Sequence, residues 1–308
     1  MSRRFIQYNM WKNCRNHCEF CFNRGYKTSD TQDKIRILDF VTEQLNLSET
    51  DSYNEIGFIG GEFFDNQLDD TIVKEKFYHL FEICKDRVER GVLDKICVAT
   101  SLIFDPNKQL IPFIEFLKQL DLIKYTLFCT SYDLKYRFHS DSDLQIWRQN
   151  MLEIPKLLDG RQIHTEVIVS QFLIDAVNSG KFDIMKFCQE YNTSIDFIEP
   201  TFTDYFDTRE EFIAALPDFF PKRGDFIKFI KEYSEKGVID LNNFLSIKLR
   251  SDTSYYDLNG TWVKLDDRWH TNVRRLNKHG QIMKVQSYVD SDKLMLEDVR
   301  LINESGRQ

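Results

Sequence analysis

No run of about 18 apolar residues occurs anywhere in the chain, so a membrane-spanning helix is not expected. The opening segment, MSRRFIQYNMW, carries two arginines but no long apolar stretch, and it does not read as a secretory signal. Positive charge is also in deficit. With 41 Lys and Arg against 49 Asp and Glu, the formal charge of -8 argues against general polyanion binding and leaves room only for a local basic patch. No cysteine lies beyond Cys188, and there is no low-complexity tract. Seven cysteines in a long chain without an export signal do not point to a disulfide framework. These absences together predict a cytoplasmic protein with no membrane partner.

What is present is ordinary globular material. Of 308 residues, 42% are hydrophobic and 29% charged, enough apolar mass for a sizeable core. The 26 Phe and 13 Tyr favour a dense interior over disorder. The length allows one large α/β domain or two small ones.

From Arg3 to about Pro200, short apolar runs alternate with helical patterns. Strands are expected at Arg3–Met10, Asn54–Ile59, Lys95–Leu102, Ile123–Ser131, Gln162–Ser170 and Ser194–Glu199. Helices are expected at Asp33–Leu47, Thr71–Arg90, Asn107–Leu120, Asp141–Leu158 and Ala176–Tyr191. Six such repeats predict parallel strands joined by helical crossovers, in a barrel or an open doubly wound sheet. In either, chemistry gathers at the carboxyl ends of the strands. On the fifth strand Thr165, Val167 and Val169 share one face, while His164, Glu166, Ile168 and Ser170 share the other. The second face is too polar to pack on helices, so it is assigned to a lumen where a ligand meets Glu166 and Ser170.

After Pro200 the rhythm changes. Helical stretches at Thr208–Ala215 and Asp225–Glu235 flank a joint at Pro217–Gly224, and short strand-like pieces follow at Asn243–Leu249, Thr261–Leu265 and Gln281–Tyr288. The division predicted is a core over 1–200 and a C-terminal α+β extension over 201–308.

Three of the cysteines, Cys14, Cys18 and Cys21, fall within eight residues. Three thiolates at this spacing can converge on one object, and soft ligands select zinc, copper(I) or an iron–sulfur cluster. A structural zinc takes four ligands and an ordinary electron-transfer cluster four cysteines, yet only three are local here. A zinc knuckle completed by His17 or a remote ligand remains open on these residues alone.

Cys14-x-x-x-Cys18-x-Phe20-Cys21 resembles the CX3CXφC signature of the radical S-adenosylmethionine (radical SAM) superfamily, with its aromatic before the last cysteine. Gly60-Gly61-Glu62, closing the second strand, is similar to that superfamily's GGE motif. The resemblance covers roughly Arg3–Pro200. It implies a partial (βα)6 radical SAM barrel, a [4Fe–4S] cluster on Cys14, Cys18 and Cys21, and S-adenosylmethionine bound at the cluster's open iron. It further implies reductive cleavage to a 5′-deoxyadenosyl radical that abstracts hydrogen from an organic substrate. The cofactor-binding residues it points to are Phe20, Gly60, Gly61, Glu62, Ser101, Ser131 and Asp133, to which the polar face of the fifth strand adds Glu166. The chain departs from the pattern at Phe63-Phe64, where the family usually has Pro, and after Ala99-Thr100-Ser101, where no Asn-Gly follows.

Ser131-Tyr132-Asp133 with Arg137 resembles the family's fourth-strand segment, although it also reads as a turn cluster. Asn150 matches a buttressing position, and Glu199-Pro200 either faces the adenine or ends its strand. Cys84 and Cys188 read as core, as do Cys97 and Cys129, which could instead face the lumen. The basic stretch Arg268–His279 could hold a phosphate or lie as a solvated face. The expected substrate is a small molecule, nucleotide or peptide, with a flavodoxin or ferredoxin as electron donor. Nucleic acid is a further candidate partner. A peptide-modifying enzyme, a glycyl-radical activase (hinted at by Phe22-Asn23) and a non-catalytic zinc or iron–sulfur module are the alternatives.

Overall fold

The computed structural model describes residues 4–11, 13–21, 29–47, 52–198, 200, 209–238, 254–256, 262–264, 274–276 and 282–284. Glu199, Phe22-Asn23, Asn243–Leu249 and most of Arg268–His279 lie outside the described residues.

Six strands, β1 (Arg4–Asn9), β2 (Tyr53–Ile59), β3 (Leu93–Ala99), β4 (Thr126–Tyr132), β5 (His164–Ile168) and β6 (Ser194–Ile198), lie side by side in chain order. Every pairing from β1 to β6 is parallel. The crossovers carry α1 (Thr31–Leu47), α2 (Thr71–Glu89), α3 (Leu110–Gln119), α4 (Asp141–Leu157), α5 (Gln171–Asn178) and α6 (Ile184–Tyr191). Strand order never reverses, so crossovers of one hand put the helices on one face. A doubly wound sheet would reverse at a switch point. The sheet is therefore singly wound. A short strand, β7 (Ser254–Tyr256), adds parallel to β1, and β8 (Trp262–Lys264) pairs antiparallel to β7. A separate hairpin joins β9 (Arg274–Leu276) to β10 (Ile282–Lys284).

Alternation along the strands decides which face meets the helices. Ile56, Phe58, Ile96, Val98, Phe128, Val167 and Phe197 are buried in one core with Phe77 and Phe81 of α2, Phe113 of α3 and Trp147 of α4. Phe113 is the hub: its ring lies 4.8 Å from Phe81 and 5.2 Å from Phe64. Burying each such ring contributes about 2–3 kcal/mol. α2 begins where Asp70 accepts from the amides of Ile72 and Val73, a cap worth about 1 kcal/mol.

Four elements differ from the sequence reading. The helix expected over Ala176–Tyr191 is two helices. Gly180, at φ +71°, turns the chain out of α5, and Asp183 caps α6 by accepting from the Lys186 amide. Strand five is shorter than expected, because Ser170 caps α5 through Leu173 N at 3.2 Å instead of facing a lumen. The third and fourth strands are also shifted: β3 stops at Ala99, and a 3-10 turn at Ile123–Tyr125 precedes β4.

Two more helices, α7 (Arg209–Ala215) and α8 (Arg223–Glu235), follow the sheet. Phe226, Phe229, Ile230 and Tyr233 of α8 join the main core, with the Phe197 ring 5.3 Å from that of Phe229.

Candidate functional site

The site is built where β1 to β4 end. Leaving β1, the chain runs beside the turn after β2 and extends the ladder: Met10 N donates to Ile59 O, Gly61 N to Trp11 O and Glu62 N to Asn13 O. That approach needs a residue without Cβ. A Cβ on Gly61 would stand 2.7 Å from the Asn13 carbonyl carbon, closer than side chains tolerate. Trp11, fully buried, donates from its indole to Glu62 O at 3.2 Å.

The cysteine loop is then tied down from several sides. Asn13 Nδ2 donates to Ser29 O at 3.0 Å and Asn13 Oδ1 accepts from Ser29 N at 2.7 Å, closing the loop across its two ends. Arg15 donates to Ile103 O at 2.7 Å and pairs with Asp65 at 3.1 Å, joining the loop to the ends of β3 and β2. The Cys18 thiol donates to Arg137 O at 3.7 Å, and Glu19 N to Tyr136 O at 3.4 Å. His139 contacts Asn16 O. Phe20 stacks on Phe219, with ring centroids 5.3 Å apart. None of these anchors was legible in advance, since each joins residues far apart in the chain.

Cys18 is buried, while Cys14 and Cys21 are partly exposed. Burial, then the Glu62 carboxylate, pushes the Cys14 thiol up to about 12, and Cys18 and Cys21 act in the same sense. Among the described residues no three Cys, His, Asp or Glu side chains converge closely enough to hold a metal ion. In donor chemistry the set fits a soft, thiolate-binding centre, whose positive charge would offset the cost of ionising a partly buried thiol.

Glu62 is almost fully buried and its carboxylate is committed internally. It accepts from Thr100 Oγ1 at 3.1 Å, Phe64 N at 2.9 Å and Ser101 N at 2.5 Å. The acid therefore locks the turn after β2 to the end of β3. Burial raises its pKa, and these hydrogen bonds pull it back.

Beyond Ser101 the chain turns at Leu102, a buried residue at φ +58°. Such a conformation is costly for a leucine and must be held from outside. Asn150 of α4 holds it, donating to Leu102 O and Phe104 O at 2.9 Å each. Replacing Asn150 with Ala strands both carbonyls and is expected to destabilise the fold by about 2 kcal/mol. Urea unfolding with an unchanged midpoint would show that the turn supports itself.

On β4, Tyr132 points to the helices, its ring 5.0 Å from Trp147, and Ser131 points the other way. Arg137 returns over this end, donating to Ser131 Oγ and, at 3.1 Å, to Ser101 O. Asp133 accepts from Lys135 N at 2.9 Å and Tyr136 N at 2.5 Å, so it also forms the turn read as the alternative. Burial raises the Asp133 pKa against these bonds.

The face of the sheet away from the helices carries Glu55, Lys95, Cys97, Cys129, Ser131, His164, Glu166 and Asp196 by register. Lys95 pairs with Glu55 at 2.5 Å and His164 with Asp196 at 3.1 Å. Burial raises the Glu166 pKa above the usual 4.5; the His164 charge opposes this, and Asp196 adds to it. A carboxyl whose folded pKa is raised destabilises the fold as pH climbs from its unfolded value through the folded one. Glu166→Gln should therefore leave the denaturation midpoint unchanged near pH 4 and raise it at pH 8, by the linkage of protonation to folding. A variant less stable than the parent at pH 8 would contradict this.

No family model matches the sequence, and no curated protein matches it. Among solved structures, the chain is similar to Streptococcus suis SuiB bound to S-adenosylmethionine, with TM-score 0.48 and 13% identity, covering 93% of this chain and 61% of that one. A second crystal structure of SuiB gives TM-score 0.46 and 15% identity, covering 85% of this chain and 60% of that one. The chain thus spans about three-fifths of the length of these proteins. Its chemistry must be read from its own residues.

Proposed function

We propose that this chain is a radical SAM enzyme in which Cys14, Cys18 and Cys21 hold a [4Fe–4S] cluster and the neighbouring strand ends hold S-adenosylmethionine. One observation carries the reading: Trp11 and Asn13, leading directly into the three-cysteine loop, are hydrogen-bonded backbone to backbone to Gly61 and Glu62 at the carboxyl ends of parallel strands. A thiol triplet with no fourth local cysteine is the donor set that leaves one iron open to a ligand. When bound, such a cluster supplies the electron that cleaves S-adenosylmethionine to a 5′-deoxyadenosyl radical, which takes a hydrogen atom from substrate.

The chain's own residues would bind, orient and shield. The Gly60 and Gly61 carbonyls would accept from the ligand's ammonium, which the Glu62 carboxylate, already engaged, leaves to the backbone. Ser101 and Ser131, bracketed by Arg137, would meet carboxylate or ribose oxygens, with Asp133 shaping the turn between them. Phe20 would cover the loop against Phe219. Glu166, on the polar face, would lie on the substrate side. The organic substrate is proposed to be a nucleotide or nucleic-acid component, and a flavodoxin or ferredoxin is proposed as electron donor in the cytoplasm. Among the described residues no helix is long and apolar enough to cross a membrane.

Anaerobic reconstitution with iron and sulfide, followed by reduction in the presence of S-adenosylmethionine, is the test. Formation of 5′-deoxyadenosine is expected. A colourless, zinc-containing protein that leaves S-adenosylmethionine intact would replace the proposal with a non-catalytic metal module.

A further inference from the structure

Two thiols outside the cysteine loop lie against each other. Cys97 on β3 and Cys129 on β4 are 7% and 6% exposed, and their Sγ atoms are 3.1 Å apart. By register Cys97 stands opposite Leu127 and Ala99 opposite Cys129, so the cysteines are diagonal neighbours on one face of adjacent strands. That face is the polar one, shared with Lys95, Ser131 and Glu166. Cysteines serving only as small hydrophobes would be expected on the opposite face, among Ile96, Val98 and Phe128. On the other flank Cys97 faces Gly57 of β2, which has no side chain to close the space beside it.

We propose that Cys97 and Cys129 form a redox site, a dithiol that closes to a disulfide when a peroxide reaches the polar face of the sheet. The sulfurs need to approach by about 1 Å to reach the bond length of about 2.05 Å. The step balances with hydrogen peroxide as oxidant. One sulfur attacks a peroxide oxygen and the O–O bond breaks, leaving a sulfenic acid and one water. The second sulfur then displaces the sulfenic hydroxyl as a second water and forms the S–S bond. Two electrons and two protons pass from the thiols to the peroxide.

The bond would staple β3 to β4 two residues before Ser131, on the face assigned to ligands. The site does not depend on the radical SAM reading, because it uses neither the loop cysteines nor any cofactor.

The test is peptide mapping of the full-length protein after peroxide treatment, with remaining thiols alkylated under denaturing conditions. The expected result is a linked pair of peptides carrying Cys97 and Cys129, lighter than their sum by two hydrogen atoms and released by dithiothreitol. Untreated protein should show both residues alkylated, and Cys97→Ser should yield no linked pair. The proposal is overturned if, at peroxide levels that oxidise the partly exposed Cys188, both residues stay alkylatable. Conversion to sulfinic acids without linkage, or pairing of either residue with a different cysteine, overturns it equally.

Discussion

Alanine at Cys14, Cys18 or Cys21 is expected to abolish 5′-deoxyadenosine formation, each substitution alone reducing it to background. The effect is all-or-none because three thiolates are the smallest set that can hold a four-iron cluster with one open position. The fold should survive. Cys14 and Cys21 are partly exposed, and trimming the buried Cys18 removes a single heavy atom, a loss of about 1 kcal/mol. Bound iron and sulfide should fall with activity, while the unfolding midpoint, compared between cluster-free parent and cluster-free variant, should fall only slightly. Cys188→Ala, at a partly exposed thiol on α6, is the matched control and should keep full activity. A loop variant that still cleaves S-adenosylmethionine at the parent rate would show that its cysteine is not a ligand.

Gly61→Ala is expected to cost about 3 kcal/mol, combining overpacking against rigid backbone with two weakened hydrogen bonds. The added methyl would meet Asn13 backbone atoms at 2.7 and 2.9 Å, and those atoms cannot swing aside as a flexible side chain would. Relief requires the two loops to part, stretching the bonds from Gly61 N to Trp11 O and from Glu62 N to Asn13 O. Asn13 adjoins Cys14, so the displacement reaches the thiols. The variant should unfold at markedly lower urea and retain less iron per folded molecule than the parent. Gly224→Ala provides the contrast: nothing lies within 4 Å of a Cβ there, and on helix α8 the change should stabilise by about 0.5–1 kcal/mol. Equal unfolding midpoints for Gly61→Ala and the parent would remove close loop packing as the reason for this glycine.

The order of strands and helices was legible in the sequence because it rests on local periodicity. Ile96 and Val98 alternate with Lys95 and Cys97 regardless of what surrounds them, and Thr71–Glu89 repeats its apolar positions at helical spacing. The cysteine triplet and the Gly-Gly-Glu turn were legible too, since each is a short contiguous string. Where local signals compete, periodicity is ambiguous: Ser170 fits a strand face by alternation but also caps a helix, and in the fold its hydroxyl takes the cap. The Asn178-Ser179-Gly180 string, overlooked inside a longer apolar pattern, splits one expected helix in two.

Tertiary structure alone decided how the strings meet. Only folding brings Glu62 to Thr100 and Ser101, Arg15 to Asp65 and Ile103, and Arg137 to Ser131 and Ser101. It also engaged the Glu62 carboxylate with Phe64, Thr100 and Ser101, and set Cys97 against Cys129. The reason is physical: the sequence carries periodicity and donor chemistry in neighbouring residues, whereas a hydrogen bond or thiol contact between strands depends on register and loop path, which exist only once the sheet has formed.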